Sequence, residues 1–155
     1  MNDSQIKIQD KWKKGFVLGY DCITYANDEI VIGSVYRTKN SNNGEIKQSW
    51  IPKCDTQLEK IEKYNNDIWV ECEIYNGSFE FENQKIVFGD GEMGNEGFIA
   101  STKLNGELNW SIFFTFSNPI FKAEVINNLP ICNNSDTKIT IDLNELTNIK
   151  IDEIF

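Results

Sequence analysis

The chain of 155 residues contains no histidine. Histidine is the one side chain whose ordinary pKa lets it pass protons at neutral pH. Its absence removes Ser-His and Cys-His nucleophiles, imidazole metal ligands and histidine acid–base chemistry together. Proline is scarce, with three residues, and the four cysteines (22, 54, 72 and 132) form no C-x-x-C pair. Neither G-x-x-x-x-G-K-[ST] nor G-x-G-x-x-G occurs, so nothing marks a nucleotide cradle. No run approaches the ~20 apolar residues of a membrane span, and the opening MNDSQIKIQD lacks the apolar core of a secretory signal. Positive charge is in deficit: 15 Lys plus Arg stand against 24 Asp plus Glu, a formal net charge of -9. Nucleic acid binding needs a basic stripe to displace counterions, and anionic lipid headgroups repel an acidic chain. These absences predict a soluble, cytoplasmic protein with reduced thiols that binds something rather than transforming it.

Apolar residues make up 40% and aromatics 12%, enough for a packed core, and the length suits one β-rich domain over residues 1–155. The dominant period is two. Residues 68–75 (IWVECEIY) alternate, with Ile68, Val70, Cys72 and Ile74 on one face and Trp69, Glu71, Glu73 and Tyr75 on the other. Asn76-Gly77 supplies the residues a type I′ turn needs, and 78–82 (SFEFE) reads as the return strand. Segments 97–103 and 107–116 flank Asn105-Gly106, and 15–25 and 29–37 flank Asn27-Asp28, two further hairpins. Residues 85–88, 121–126 and 138–143 are additional strands, and the tail 149–155 closes the sheet or lies along it. One short helix is expected after residue 55, capped by Asp55 with Leu58, Ile61 and Tyr64 at helical spacing, and a second short turn at 143–148. The expected fold is mainly β, α+β at the margin: an antiparallel sandwich or a strongly bent sheet with one short helix.

Residues 89–97 (GDGEMGNEG) place four glycines and three carboxylates between two apolar strands. Glycine permits close backbone approach, so such a loop suits a ligand or partner. Asp90, Glu92 and Glu96 lack the D-x-[DN]-x-[DN]-G order of a calcium loop, which leaves no metal and no cofactor to assign. Read as a hairpin, 68–82 would also crowd Glu71, Glu73, Glu80 and Glu82 on one surface, a solvated face or a bait for arginine and lysine. Trp69 shares that face with Tyr75 and is the expected exposed anchor, whereas Trp110 reads as core.

The stretches MGNEGFIA (93–100), NGELNW (105–110), Phe113-Phe114 and SNPI (117–120) resemble immunity proteins of bacterial polymorphic toxin and contact-dependent inhibition systems. That resemblance implies a small acidic cytosolic protein that blocks one cognate toxin domain. Such families share no invariant active residue, so it implies no catalytic group. An acidic inhibitor suits a basic toxin, and a nuclease has a positive cleft because it must attract phosphate. The expected function is therefore neutralisation of a basic nuclease toxin by a non-enzymatic chain, monomeric or weakly homodimeric. The contacts would be Asp90, Glu92, Glu96, Glu71, Glu73, Glu80 and Glu82, with Trp69 and Tyr75 as apolar anchors. A cytosolic carbohydrate- or ligand-binding sandwich and a histidine-free carboxylate enzyme are the alternatives.

Overall fold

The computed structural model describes the backbone of residues 1–126, 129–133 and 137–153, and the side chains of these except 93, 125, 126, 129–133, 137 and 153. Helix α1 (Asp3–Lys13) precedes strands β1 (Phe16–Leu18), β2 (Cys22–Tyr25), β3 (Ile30–Lys39) and β4 (Ile46–Thr56). Helix α2 (Leu58–Glu62) leads to β5 (Trp69–Ile74), β6 (Phe79–Phe81) and β7 (Gln84–Gly91). A 3₁₀ turn (Glu92–Gly94) joins β7 to β8 (Glu96–Lys103), followed by β9 (Leu108–Phe114). Then come β10 (Lys122–Ile126), β11 (Leu129–Asn133), β12 (Thr137–Asp142) and β13 (Glu145–Glu153).

All these strands join one antiparallel sheet in the order β1-β5-β7-β8-β9-β2-β3-β4-β13-β12-β11-β10, with β6 also pairing β7. The sheet bends far enough to pack one face onto itself. Ile86, Phe88, Ile99, Ile112 and Phe114 of the β7–β9 region share a single buried cluster with Trp50 of β4, Ile139 and Ile141 of β12, and Ile149 and Ile151 of β13. On the opposite face, Val87, Phe98, Ala100 and Phe113 bury against Ile8 and Trp12 of α1, Val17 and Leu18 of β1, and Leu58 of α2. Strands β7 to β9 are thus covered on both sides, which is why FIA and IFF run apolar without interruption. Truncating a fully buried ring such as Phe98 or Phe113 costs about 3–5 kcal/mol.

Helix α1 was not expected from the apolar pattern. Asn2 and Gln5 form a capping box, with the Gln5 amide donating to Asn2 Oδ1 at 2.8 Å and the Asn2 amide to Gln5 Oε1 at 3.0 Å. Ile8 and Trp12, one turn apart, bury against the sheet. Gln9 locks the register by accepting from the Leu108 amide at 2.9 Å and donating to its carbonyl at 2.8 Å.

The hairpins at Asn27-Asp28 and Asn105-Gly106 form as expected, with Asp28 and Gly106 at φ 77 and 95. The hairpin at Asn76-Gly77 does not. β5 and β6 never pair with each other: β5 pairs residues 89–91 of β7 and β6 pairs residues 84–86, so they follow one another along the same edge. The true type I′ turn is Glu82-Asn83, at φ 50 and 62, joining β6 to β7. The expected strand 15–25 is broken in two between Leu18 and Cys22. Strand β4 was missed. Its Pro52 sits opposite Gly33, where the β3–β4 register slips, so the missing amide falls at a bulge.

Asp55 does not cap α2, because it belongs to β4. The cap is remote: the Leu58 amide donates to Asp28 Oδ1 at 2.9 Å from the turned β2–β3 hairpin. The turn expected over 143–148 shortens to Leu143-Asn144, after which the chain enters β13. Rather than closing an edge, β13 inserts between β4 and β12. Residues 154–155 of the expected tail lie outside the described residues.

Candidate functional site

The segment 89–97 is not a free loop. Gly89, Asp90 and Gly91 are the last residues of β7, opposite Ile74, Glu73 and Cys72 of β5, and the turn proper is only Glu92–Gly94. Three of its glycines make room for the protein itself. A Cβ on Gly89 would lie 1.8 Å from the Glu73 carbonyl oxygen, one on Gly91 2.4 Å from the Phe113 ring, and one on Gly97 2.6 Å from Ser117 Oγ. Ile120 also donates its amide to the Gly89 carbonyl at 3.1 Å. The close approach that glycine permits is therefore used internally, by strand β5, a core phenylalanine and the 117–120 return segment.

What this packing creates is an open groove of about 670 Å³ lined by Glu71, Cys72, Glu73, Ile74, Asp90 and Gly94. No lysine or arginine is among those residues. Glu73 lies directly across from Asp90, so both project from one face, and Glu71 shares it two residues away. Asp90 is 8% exposed and accepts the Tyr75 hydroxyl at 2.5 Å. That hydrogen bond, with burial and the Glu73 charge adding to it, pushes the Tyr75 pKa up to about 12. Asp90 and Tyr75 thus form a fixed pair at the groove floor, not two free contact groups.

Glu92 and Glu96 stand at the hairpin tip. Burial chiefly raises the Glu96 pKa, and repulsion from Glu92 and Asp21 adds to it. Asp21 is itself held by Thr115, accepting from its amide at 2.7 Å and its hydroxyl at 2.6 Å. Asp21 was not singled out from the sequence. Its partner Thr115 lies 94 residues away in the chain, a pairing no local pattern reports.

The remaining expected residues separate from this site. Glu80 lies opposite Lys85, on the face of β7 turned away from Asp90, and Glu82 occupies the tight turn. The four hairpin glutamates therefore do not form one cluster, because β5 and β6 are successive rather than paired. Trp69 is not an exposed anchor. It is half-buried in the α1-side cluster, with the Lys11 ammonium 5.6 Å from its ring and its indole N–H buried without a partner. Trp12, Trp50 and Trp110 are buried.

Burial pushes both the Cys22 and Cys72 thiols up to about 12. Cys54, the residue before the expected cap Asp55, lies exposed within β4, and the Cys132 side chain is outside the described residues. Among the described residues no three Cys, Asp or Glu side chains stand close enough to hold a metal ion together, and no helix is long and apolar enough to cross a membrane. No protein-family model, curated protein or solved structure matches the chain.

Proposed function

We propose that this chain is an immunity protein that binds and neutralises a cognate basic toxin domain, a nuclease, through the acidic groove between β5 and the β7–β8 tip. One observation carries the reading: Glu71, Glu73 and Asp90 share an open groove with no cation among its lining residues, and the Glu92–Gly94 turn borders it at Gly94. Paired strands hold these carboxylates, so a cationic partner meets a field that is already organised. The sequence resemblance over residues 93–120 agrees with this, and those residues build the β8–β9 hairpin and the segment packed on Gly97. Glu80, Glu82 and Trp69 drop out of the proposed contact, and Tyr75 serves it by holding Asp90.

The carbohydrate-binding alternative has less support, because no tryptophan is presented as a stacking platform. A carboxylate enzyme calls for a closed pocket around an acid of raised pKa, whereas the groove is open and Glu96, whose pKa is raised, is not among its lining residues. Nothing in the geometry requires bond chemistry.

Co-expression with the C-terminal domain encoded by the adjacent upstream reading frame tests the proposal. Growth rescue together with a stable one-to-one complex supports it. A toxic neighbour that is neither bound nor neutralised overturns it. Within such a complex, Glu71→Gln/Glu73→Gln/Glu92→Gln should slow association about tenfold at low salt, with the difference shrinking as salt is added. An unchanged association rate would remove the groove from the interface.

A further inference from the structure

The acidic groove has a counterpart of opposite sign elsewhere on the sheet. In strands β3, β4, β13 and β12, the side chains at Val35, Trp50, Ile149, Ile151, Ile139 and Ile141 pack into the self-folded core. The alternate residues therefore face outward. Cross-strand registers place Tyr36 opposite Ser49, Ser49 opposite Lys150, and Lys150 opposite Thr140, one continuous row across four strands. The adjoining rows hold Lys47 opposite Thr38, Lys138 opposite Asp152, and Ile51 opposite Ser34. Helices α1 and α2 cover the other end of this face, so here it lies open: Tyr36 and Ile51 are each 42% exposed, and Lys47 and Lys150 are exposed. Lys53 places its ammonium 4.5 Å from the Tyr36 ring centroid.

This face has the composition of a docking surface for carboxylates. An apolar centre, Tyr36 and Ile51, is rimmed by Lys47, Lys53, Lys138 and Lys150, and among the described residues of these rows the acids are Asp152, opposite Lys138, and Glu124, two strands beyond Thr140. On a chain of net charge -9 that is a local reversal of sign. A nucleic acid finds no free stacking ring here, because Lys53 already covers the one exposed ring of the patch. A compact acidic protein surface fits well. The surface of that kind described above is the groove and tip carrying Glu71, Glu73, Glu92 and Glu96, borne on strands remote from β13 in the sheet order.

We propose that a second copy of this chain docks its acidic groove and hairpin tip onto the lysine-rimmed outer face of β3, β4, β13 and β12. The contact is heterologous, since the two surfaces differ. Each added copy leaves one groove and one face free, so association continues beyond a dimer, into a ring where the rotation closes and a filament where it does not. Held together largely by exposed charges, it is weak and sensitive to salt.

Sedimentation of the purified chain tests this without any toxin, so its failure leaves the immunity reading standing. In about 0.01 M salt, where charges act over about 30 Å, the average mass should rise with concentration up to about 1 mM. It should fall to the monomer in about 1 M salt, where that reach is about 3 Å. Lys47→Glu/Lys150→Glu and Glu71→Lys/Glu73→Lys should each be monomeric alone. Mixed, they should associate again, because the intact face of one meets the intact groove of the other. Lys13→Glu/Lys14→Glu, with the same charge change on α1 and Lys14, should associate like the parent chain. All substituted residues are solvent-facing or nearly so, and unchanged circular dichroism confirms that the variants fold. A parent chain monomeric throughout, or a mixture that does not associate, overturns the proposal.

Discussion

Replacing Gly89 by alanine separates two explanations of the glycine-rich segment, internal packing and ligand access. Gly89 has no positive φ, so an alanine there meets only a question of space. Its Cβ would lie 1.8 Å from the Glu73 carbonyl oxygen and 3.2 Å from the Tyr75 amide nitrogen. The first distance is roughly 1.5 Å inside ordinary non-bonded contact. The obstacle is backbone, so no rotamer change relieves it and β5 must move off β7. That shift strains the Tyr75 amide bond to the Phe88 carbonyl, now 2.8 Å, and loosens the groove floor. Overpacking costs about 1–3 kcal/mol where side chains can adjust, so a backbone obstruction belongs at about 3 kcal/mol or above. For a chain of this length each kcal/mol lowers Tm by about 2–4 °C, giving a loss of about 6–12 °C. Gly94→Ala in the same turn is the control. Gly94 has φ +90 but open space around it, so only left-handed strain of about 1–2 kcal/mol applies. Denaturant titrations of both variants, at unchanged m-value, give the comparison. If Gly89→Ala stayed within about 0.5 kcal/mol of the parent, or cost less than Gly94→Ala, the packing explanation would be wrong.

Asp28→Ala should cost about 1–2 kcal/mol in chemical denaturation by stripping α2 of its remote cap, with Asp28→Asn restoring part of the loss; a neutral Asp28→Ala would deny the cap a role. Tyr75 holds its proton more tightly folded than unfolded, with a pKa raised from 10.0 to about 12. Its contribution is therefore complete below pH ~10 and lost as pH climbs toward 12. Tyr75→Phe should flatten that alkaline limb while lowering stability by about 1–3 kcal/mol at neutral pH, because the buried Asp90 carboxylate loses its donor. Alkylation near pH ~8 followed by peptide mapping should label Cys54 well before Cys22 and Cys72, whose burial holds their thiols protonated; early labelling of Cys72 would contradict its packing.

Where turn chemistry and period two agreed, the sequence was readable: Asn27-Asp28 and Asn105-Gly106 close the hairpins they were expected to close. Asn76-Gly77 carries an equally strong turn signal and yet joins two strands that never pair. The competing turn, Glu82-Asn83, puts non-glycine residues at positive φ, which composition disfavours and tertiary pairing imposes. That single error moved Glu80 and Glu82 into a cluster they do not join. Strand β4 was hidden by Pro52 and by alternation that carries lysine and serine on its outer face. Helix α1 was available to a reader of caps, since Asn2-x-x-Gln5 precedes Ile8 and Trp12 one turn apart, but only two of its eleven residues are buried. Asp90, Glu92 and Glu96 were visible as charge between glycines. Their meeting with Glu71 and Glu73 depends on β5 pairing to β7 across a sequence gap that no local pattern reports.

The two proposed uses of the groove constrain each other. A toxin domain and a second copy of the chain would seat on the same carboxylates, so they must compete, and the tighter ligand displaces the weaker. An immunity protein that self-associates weakly through its groove would still neutralise a toxin, because mass action strips copies apart whenever the toxin binds more strongly. Toxin binding should therefore dissolve the association, whereas Lys47→Glu/Lys150→Glu should leave toxin neutralisation intact. If that variant lost neutralisation as well, the outer face would belong to the toxin interface itself. The opposite-sign surfaces of one chain would then grip a single partner instead of two.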